Sequence, residues 1–369
     1  MRTRAGTDAG SRVLVARLDN DGDVLLSGPA VRAVAAGGAA VTMLVGPRGR
    51  QAAGLLPGVA DVLVWHCPWI DSDPQPVSRG GIDALVDTLA AADLAAALLL
   101  TSYHQSALPL ALILRMAGVP RLGALSDDYP GSLLDVRHRL PDTGLHEAQR
   151  ALSTAEALGF MLPPGDDGRL RVRGDLPEPE GGLEALVGAG PYVVVHPGAS
   201  VPARAWAPER CAQLVDALVA AGRRVVVTGG RGERALTARV AHEVGIDLGG
   251  RTDFAGLAAV LARADAVVVG NTGPAHLAAA VDAPVVSLFA PTVPAERWAP
   301  YTGHRVVLGD LTIPCAGCRA RECPVPGHPC LSAVSVEDVV LAVDSLTDSG
   351  GATTAATASP SHQDMEVRS

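Results

Sequence analysis
The chain has 369 residues and a net charge of -9, with 19% charged residues. That length exceeds what one ordinary core organises, so two domains are expected. Apolar residues make up 48% and aromatic ones 3%, which predicts an aliphatic core. Scattered arginines on an acidic chain exclude a nucleic-acid or anionic-membrane partner held by electrostatics.

The opening MRTRAGTDAGSR has no apolar centre, so residues 1–11 read as a disordered start rather than a secretory leader. Strand and helix then alternate. RVLVARL (12–18) is strand-like, and LLSGPAVRAVAA (25–36) is a helix with Pro29 in its first turns. AVTMLVG (40–46) and VADVLVW (59–65) are further strands, separated by RGRQAAGLL. IDALVDTLAAADLAAALLL (82–100) holds a helix and then an apolar strand. Its most apolar part carries an Asp and is too short to cross a bilayer, so no transmembrane segment and a cytoplasmic location are expected. This is the βαβα pattern of an α/β protein with parallel sheets covered on both faces.

TSYHQSALP (101–109) and DDYPGSLLDVRHR (127–139) read as loops of the first domain, which spans 12–165. Residues 166–190 are dense in Pro, Gly and acids and read as a linker. A second domain, 191–346, brings cleaner units: YVVVHPG, RRVVVTGG, DAVVVGN and APVVSLFA alternate with helical stretches. Residues 347–369 lack periodicity and read as a disordered tail.

In open parallel sheets ligands sit beyond the carboxyl ends of strands. Those ends in the second domain carry Ser200, Thr228, Gly229, Glu233, Asn271, Thr272, Gly273, Pro274 and His276, with no bulky plug. Glycines admit a ligand close to backbone N–H groups, and a helix start adds a positive dipole; together they describe a diphosphate cradle. Singly, each has a plainer reading: a turn glycine, or a core histidine bonded to a carbonyl. No G-x-x-x-x-G-K-[ST] or G-x-G-x-x-G is present, which disfavours a P-loop kinase or an ordinary dinucleotide site. Arg204, eight residues past its strand, is placed to reach back to a phosphate, although a solvated surface Arg is the commoner fate. Asp19, Asp21 and Asp23 crowd the turn after the first strand, where an Asp is usually a helix N-cap. Asp23 is also a candidate general base facing the opposite domain.

CAGCRARECPVPGHPC places Cys315, Cys318, Cys323 and Cys330 in one loop (315–330) with His328 nearby. Four thiolates there suit a structural zinc, though the spacing is not that of a zinc ribbon and free thiols are the plainer reading.

From residue 12 to about 341 the chain resembles the bacterial heptosyltransferase-like glycosyltransferases, family 9. The motifs that carry the resemblance are GDVLLSGPAVRA, HPGASVPARAW, VVVTGGRGER, DLGGRTDFAGLAAVLARAD and NTGPAHLAAA. It implies the GT-B architecture, two facing Rossmann-like domains with a cleft between them. It also implies inverting transfer of a sugar from a nucleotide-diphosphate donor, ADP-heptose in well-known members, to an acceptor hydroxyl, with no cofactor required. By position, Asp23 matches the catalytic base. Ser200, Arg204, Thr272, Gly273, Pro274 and His276 fall to the donor diphosphate, with Arg204 where the family usually has Lys. Thr228, Gly229, Glu233, Arg251 and Thr252 fall to the nucleoside, and Asn271, where the family has Asp, to the donor sugar. The expected partners are the nucleotide sugar and a glycan, glycolipid or small-molecule acceptor; peripheral membrane contact stays open. A sugar-nucleotide epimerase of similar architecture and a non-catalytic nucleotide-sugar binder are the competing readings.

Overall fold
The computed structural model describes residues 10–348 except 72, 103, 142–143 and 178–180. The expected disordered stretches fall largely outside it, at 1–9 and 349–369. In the first half the order is β1 (Arg12–Arg17), α1 (Asp21–Leu26), α2 (Gly28–Ala36), β2 (Ala40–Val45), α3 (Arg50–Leu55), β3 (Val59–Val64) and α4 (Arg79–Ala91). It continues with β4 (Leu94–Leu99), α5 (Leu108–Met116), β5 (Leu122–Leu125), β6 (Val136–His138), α6 (Glu147–Ala157) and α7 (Leu183–Val187). The second half runs β7 (Val193–His196), α8 (Pro208–Ala220), β8 (Val225–Val227), α9 (Arg234–Ala241), β9 (Ile246–Asp247) and α10 (Phe254–Ala262). Then come β10 (Ala266–Gly270), α11 (Gly273–Ala280), β11 (Val285–Leu288), α12 (Ala295–Trp298), β12 (Arg305–Leu308), α13 (Pro329–Ser332) and α14 (Val336–Asp348).

Two six-stranded sheets result, ordered β3-β2-β1-β4-β5-β6 and β12-β11-β10-β7-β8-β9. All recorded strand pairs are parallel. Each sheet has the doubly wound order, and each reverses direction at its centre, between β1 and β4 and between β7 and β10. The central strands bury residues on both faces, as the continuous Val and Leu runs require. One apolar cluster joins the halves: Val15 and Leu25 belong to it, and so do Leu257 and Leu277.

Three local expectations change. The helix after β1 starts earlier, at Asp21, and is broken at Ser27 before a second helix opens with Pro29 near its start. A proline lacks the N–H for the preceding turn and crowds its carbonyl, so one continuous helix is unavailable. The segment 166–190 is no bare linker, because Leu170, Leu183 and Val187 are core residues and Arg32 clasps Asp166 at 2.6 Å. Part of 127–139 adds the edge strand β6 to β5. Among the described residues, no helix is long and apolar enough to cross a membrane.

Candidate functional site
A cavity of about 1130 Å³ opens where the two sheets' carboxyl ends meet. Asn20, Asp21, Gly22, Arg48 and Gln51 wall it from the first half. Of the predicted residues, Ser200, Gly229, Glu233, Arg251, Thr252, Thr272, Gly273 and Pro274 wall it from the second. Arg231 and Arg234 join them, so the wall gathers four arginines in all, with Arg48 and Arg251.

Close backbone approach shapes this cavity. Any Cβ on Gly22 would stand 3.0 Å from His276 Cδ2 and 3.1 Å from Gly273 Cα, so the close approach of α1 to the start of α11 favours glycine at residue 22. Thr272, the residue before α11, makes no side-chain cap; its hydroxyl leans back to the Gly270 carbonyl at 3.4 Å. The helix start therefore turns toward the cavity without a cap from the Thr272 side chain, leaving its N–H groups open to a bound phosphate. Beyond the end of β8, Glu233 accepts from the Gly230 N–H at 2.7 Å and folds over Gly198, which follows β7.

Five predicted residues are not on this wall. Thr228 is fully buried, and its hydroxyl meets His196 Nδ1 at 3.0 Å, so it supports a wall histidine instead of facing a nucleoside. Asn271 turns inward: its Nδ2 donates to the Ala290 carbonyl at 3.1 Å, tying the ends of β10 and β11 together. Arg204 leans on Thr292, its Nε donating to Oγ1 at 3.1 Å, and on the Asn271 carbonyl at 3.5 Å. His276 is buried against Gly22, and burial holds its ring down to about 4, neutral at pH 7; its Nδ1 has no partner. Asp23 lies behind the wall, paired with Arg17 at 2.9 Å and within electrostatic reach of Arg204 and His276. It does not cap α1; that place is taken by Asn20.

Sequence reasoning missed the group around Asp23. Arg17 ends β1 and is 3% exposed, with Asp19, Ser102 and Gln105 about it. A lone Arg closing an apolar strand beside three acids was the available signal. Asp21, read only as one of those acids, does reach the cavity, and burial pushes its carboxyl up to about 6 despite a bond from the Ala52 N–H.

The four cysteines are brought together. Cys315, Cys318, Cys323 and Cys330, with His328, line one cavity of about 20 Å³. As placed, no three His, Cys, Asp or Glu side chains among the described residues stand as metal ligands. Burial, and the neighbouring thiols, push the Cys330 thiol up to about 11.

Residues 83–328 match the model of glycosyltransferase family 9 (heptosyltransferase). Lipopolysaccharide heptosyltransferase 1 of Pseudomonas aeruginosa is 35% identical over 187 residues, 49% of each chain. The match thus spans about half the length of that relative. Among solved structures, a family 9 glycosyl transferase from Veillonella parvula superposes with a TM-score of 0.74 at 19% identity, over 94% of this chain and all of that one. Escherichia coli heptosyltransferase WaaC with ADP gives 0.67 at 20% identity, over 91% and 99%. The fold is that of these glycosyltransferases, and the chain belongs to glycosyltransferase family 9.

Proposed function
We propose that the protein transfers heptose or a related sugar from a nucleoside diphosphate, ADP-heptose first among donors, to an acceptor hydroxyl, by an inverting and metal-independent route. The observation that carries this reading is the cavity itself, with the uncapped start of α11 on its wall among Arg231, Arg234 and Arg251. The leaving diphosphate gains negative charge as its bond to the sugar breaks. A helix start and several guanidinium groups can hold that charge, and one such preorganised group is worth about 3 kcal/mol of barrier. ADP bound to the structurally similar WaaC supports the choice of base. Asp23, next to the cavity wall, takes the acceptor's proton while the acceptor oxygen attacks the anomeric carbon opposite the diphosphate. A glycan, glycolipid or small molecule fits as acceptor, and the cytoplasm as the place of action.

The test is Asp23→Asn, assayed for ADP release and for ADP binding. ADP binding is expected to persist while transfer is abolished; near-normal turnover would overturn the assignment of the base. Asp21 is the second reading for the base, favoured by its position on the wall and a carboxyl near 6, close to the range where a general base works at neutral pH. In that case Asp21→Asn, not Asp23→Asn, removes activity.

We also propose a structural zinc at Cys315, Cys318, Cys323 and Cys330. Their shared cavity of about 20 Å³ has room for one ion, and the thiols would have to turn inward to ligate. Metal analysis is expected to find near one equivalent of zinc. Four freely titrating thiols in metal-free, folded protein would withdraw the assignment.

A further inference from the structure
Beneath α1 the molecule buries a cluster of charge that donor binding does not explain. Arg17 holds two carboxylates at once. Its Nη2 donates to Asp23 Oδ1 at 2.9 Å and to Ser102 Oγ at 3.0 Å, and its Nε lies 2.9 Å from Asp19 Oδ2. Asp19 is fixed from its other oxygen by Gln105 Nε2 at 2.6 Å. The side chains of Asp19 and Asp23 are 10% and 21% exposed, so Asp23 is the partner that leans outward.

The arrangement matters because Arg17 cannot reach water. Leaving a buried charge without its partner costs about 3–5 kcal/mol. Were Asp23 the only counter-ion, its uptake of a proton would strand the guanidinium, and the pair would resist the step a base must perform. With Asp19 in place, the cluster of one cation and two anions carries a net negative charge before proton uptake and none after it. Arg17 stays matched throughout.

We propose that Arg17 and Asp19 are positioning residues that fit Asp23 to its task as proton acceptor, Asp19 neutralising the buried guanidinium once Asp23 is protonated. This rests on the reading of Asp23 as base given above. In the step, the acceptor O–H breaks and its proton passes to an Asp23 carboxylate oxygen. The acceptor oxygen bonds to the anomeric carbon, and the electron pair of the carbon–oxygen bond leaves with the nucleoside diphosphate. The other charges facing Asp23 are Glu147 from α6, and Arg204 and His276 from the second half. Glu147 also acts on Arg17 electrostatically, but its ion pairs are with Arg150 at 3.4 Å and Arg297 at 3.6 Å, whereas Asp19 stands 2.9 Å from the Arg17 guanidinium; His276 is neutral. Burial and the Asp23 charge both raise Asp19, which Arg17 and Gln105 oppose.

Two readouts test this on the full chain. In the first, ADP release from ADP-heptose with water as acceptor is followed under single-turnover conditions from pH 5 to 9. In the second, the Asp23 carboxyl carbon is followed by 13C NMR in the free protein, its resonance assigned with Asp23→Asn; this needs no donor. Asp19→Asn is expected to move the acid limb and the resonance midpoint about one pH unit lower, and to reduce the plateau rate several-fold. Arg17→Met is expected to move both higher, because Asp23 loses its cation and keeps the repulsion of Asp19. The double variant returns toward the parent, and Asp19→Glu restores it. Circular dichroism and ADP binding establish which variants fold; the opposite signs mean either single variant decides alone. Midpoints that stay put in the folded variants overturn the inference. Turnover surviving in Asp23→Asn overturns instead the base assignment beneath it.

Discussion

Gly22 sets how near α1 can come to the start of α11 at the cavity. The Cβ of an alanine at Gly22 would crowd the Gly273 backbone and the His276 ring, neither of which is a flexible side-chain end. Overpacking of this kind costs about 1–3 kcal/mol. Gly22→Ala is therefore expected to lower the melting temperature and to weaken ADP binding by separating α1 from α11, measured by thermal unfolding with and without ADP. An unchanged melting temperature and affinity would show that the contact does not constrain the site. Thr228 and Gly229 teach a related lesson about legibility. They are neighbours at one strand end, yet Gly229 walls the cavity and Thr228 is buried under His196. Both are small residues at a promising position, and what separates them is that the Thr228 side chain turns inward to His196 while the Gly229 backbone faces the cavity.

The elements that build the cavity are loops held over parallel strands. Glu233 is the clearest case: it closes the short turn before α9, accepts from the Gly230 N–H, and covers Gly198 just past the end of β7. A methyl group at residue 198 would run into that carboxylate. Gly198→Ala is expected to push Glu233 off the Gly230 amide, a loss of about 1 kcal/mol, or about fivefold in ADP affinity by calorimetry. Unaltered affinity would place Glu233 outside donor binding. At this scale the alternation of strand and helix was readable along nearly the whole chain, because buried parallel strands are written as runs of Val and Leu. Two elements were less legible for physical reasons. The strand β6 has three residues, too few for a pattern, and its pairing with β5 defines it. The segment 166–190 carries the composition of a linker while a few spaced apolar residues, Leu170, Leu183 and Val187, tie it into the core.

Across the whole molecule, buried histidines stitch the halves together. His146 opens α6: its Nδ1 accepts from the Ala148 N–H at 3.2 Å, so Nε2 carries the proton and donates to the Ala299 carbonyl of the second half at 2.8 Å. Its ring also stacks on Tyr301 at 4.5 Å. Burial holds it down to about 4, against an ordinary 6.5 in the unfolded chain. Below pH 6.5 the unfolded chain takes up a proton that the folded one refuses until about pH 4. The stability contributed by neutral His146 is thus complete above 6.5 and lost as pH falls toward 4. Buried carboxylates raised above their ordinary values, such as Asp21, act in the opposite sense, so the histidine is best isolated by difference. The gap in melting temperature between the parent and His146→Gln is expected to narrow steadily from pH 7 to pH 4.5. A gap independent of pH would assign the effect to packing alone.

The sequence by itself determined the fold class, the two sets of βα units and the strand ends that come to line the cavity. These follow from periodicity, glycine placement and turn chemistry, all of which act over a few neighbouring residues. The tertiary structure alone decided which strand-end residues face the cavity and which turn inward, as Asn271 does toward Ala290. It also decided that Arg17, Asp19 and Asp23 share one buried cluster with Ser102, 85 residues on from Arg17, and Gln105, 86 on from Asp19. Such choices depend on where distant chain segments cross and on the need of each buried charge for a partner. Neither is written in the local order of residues.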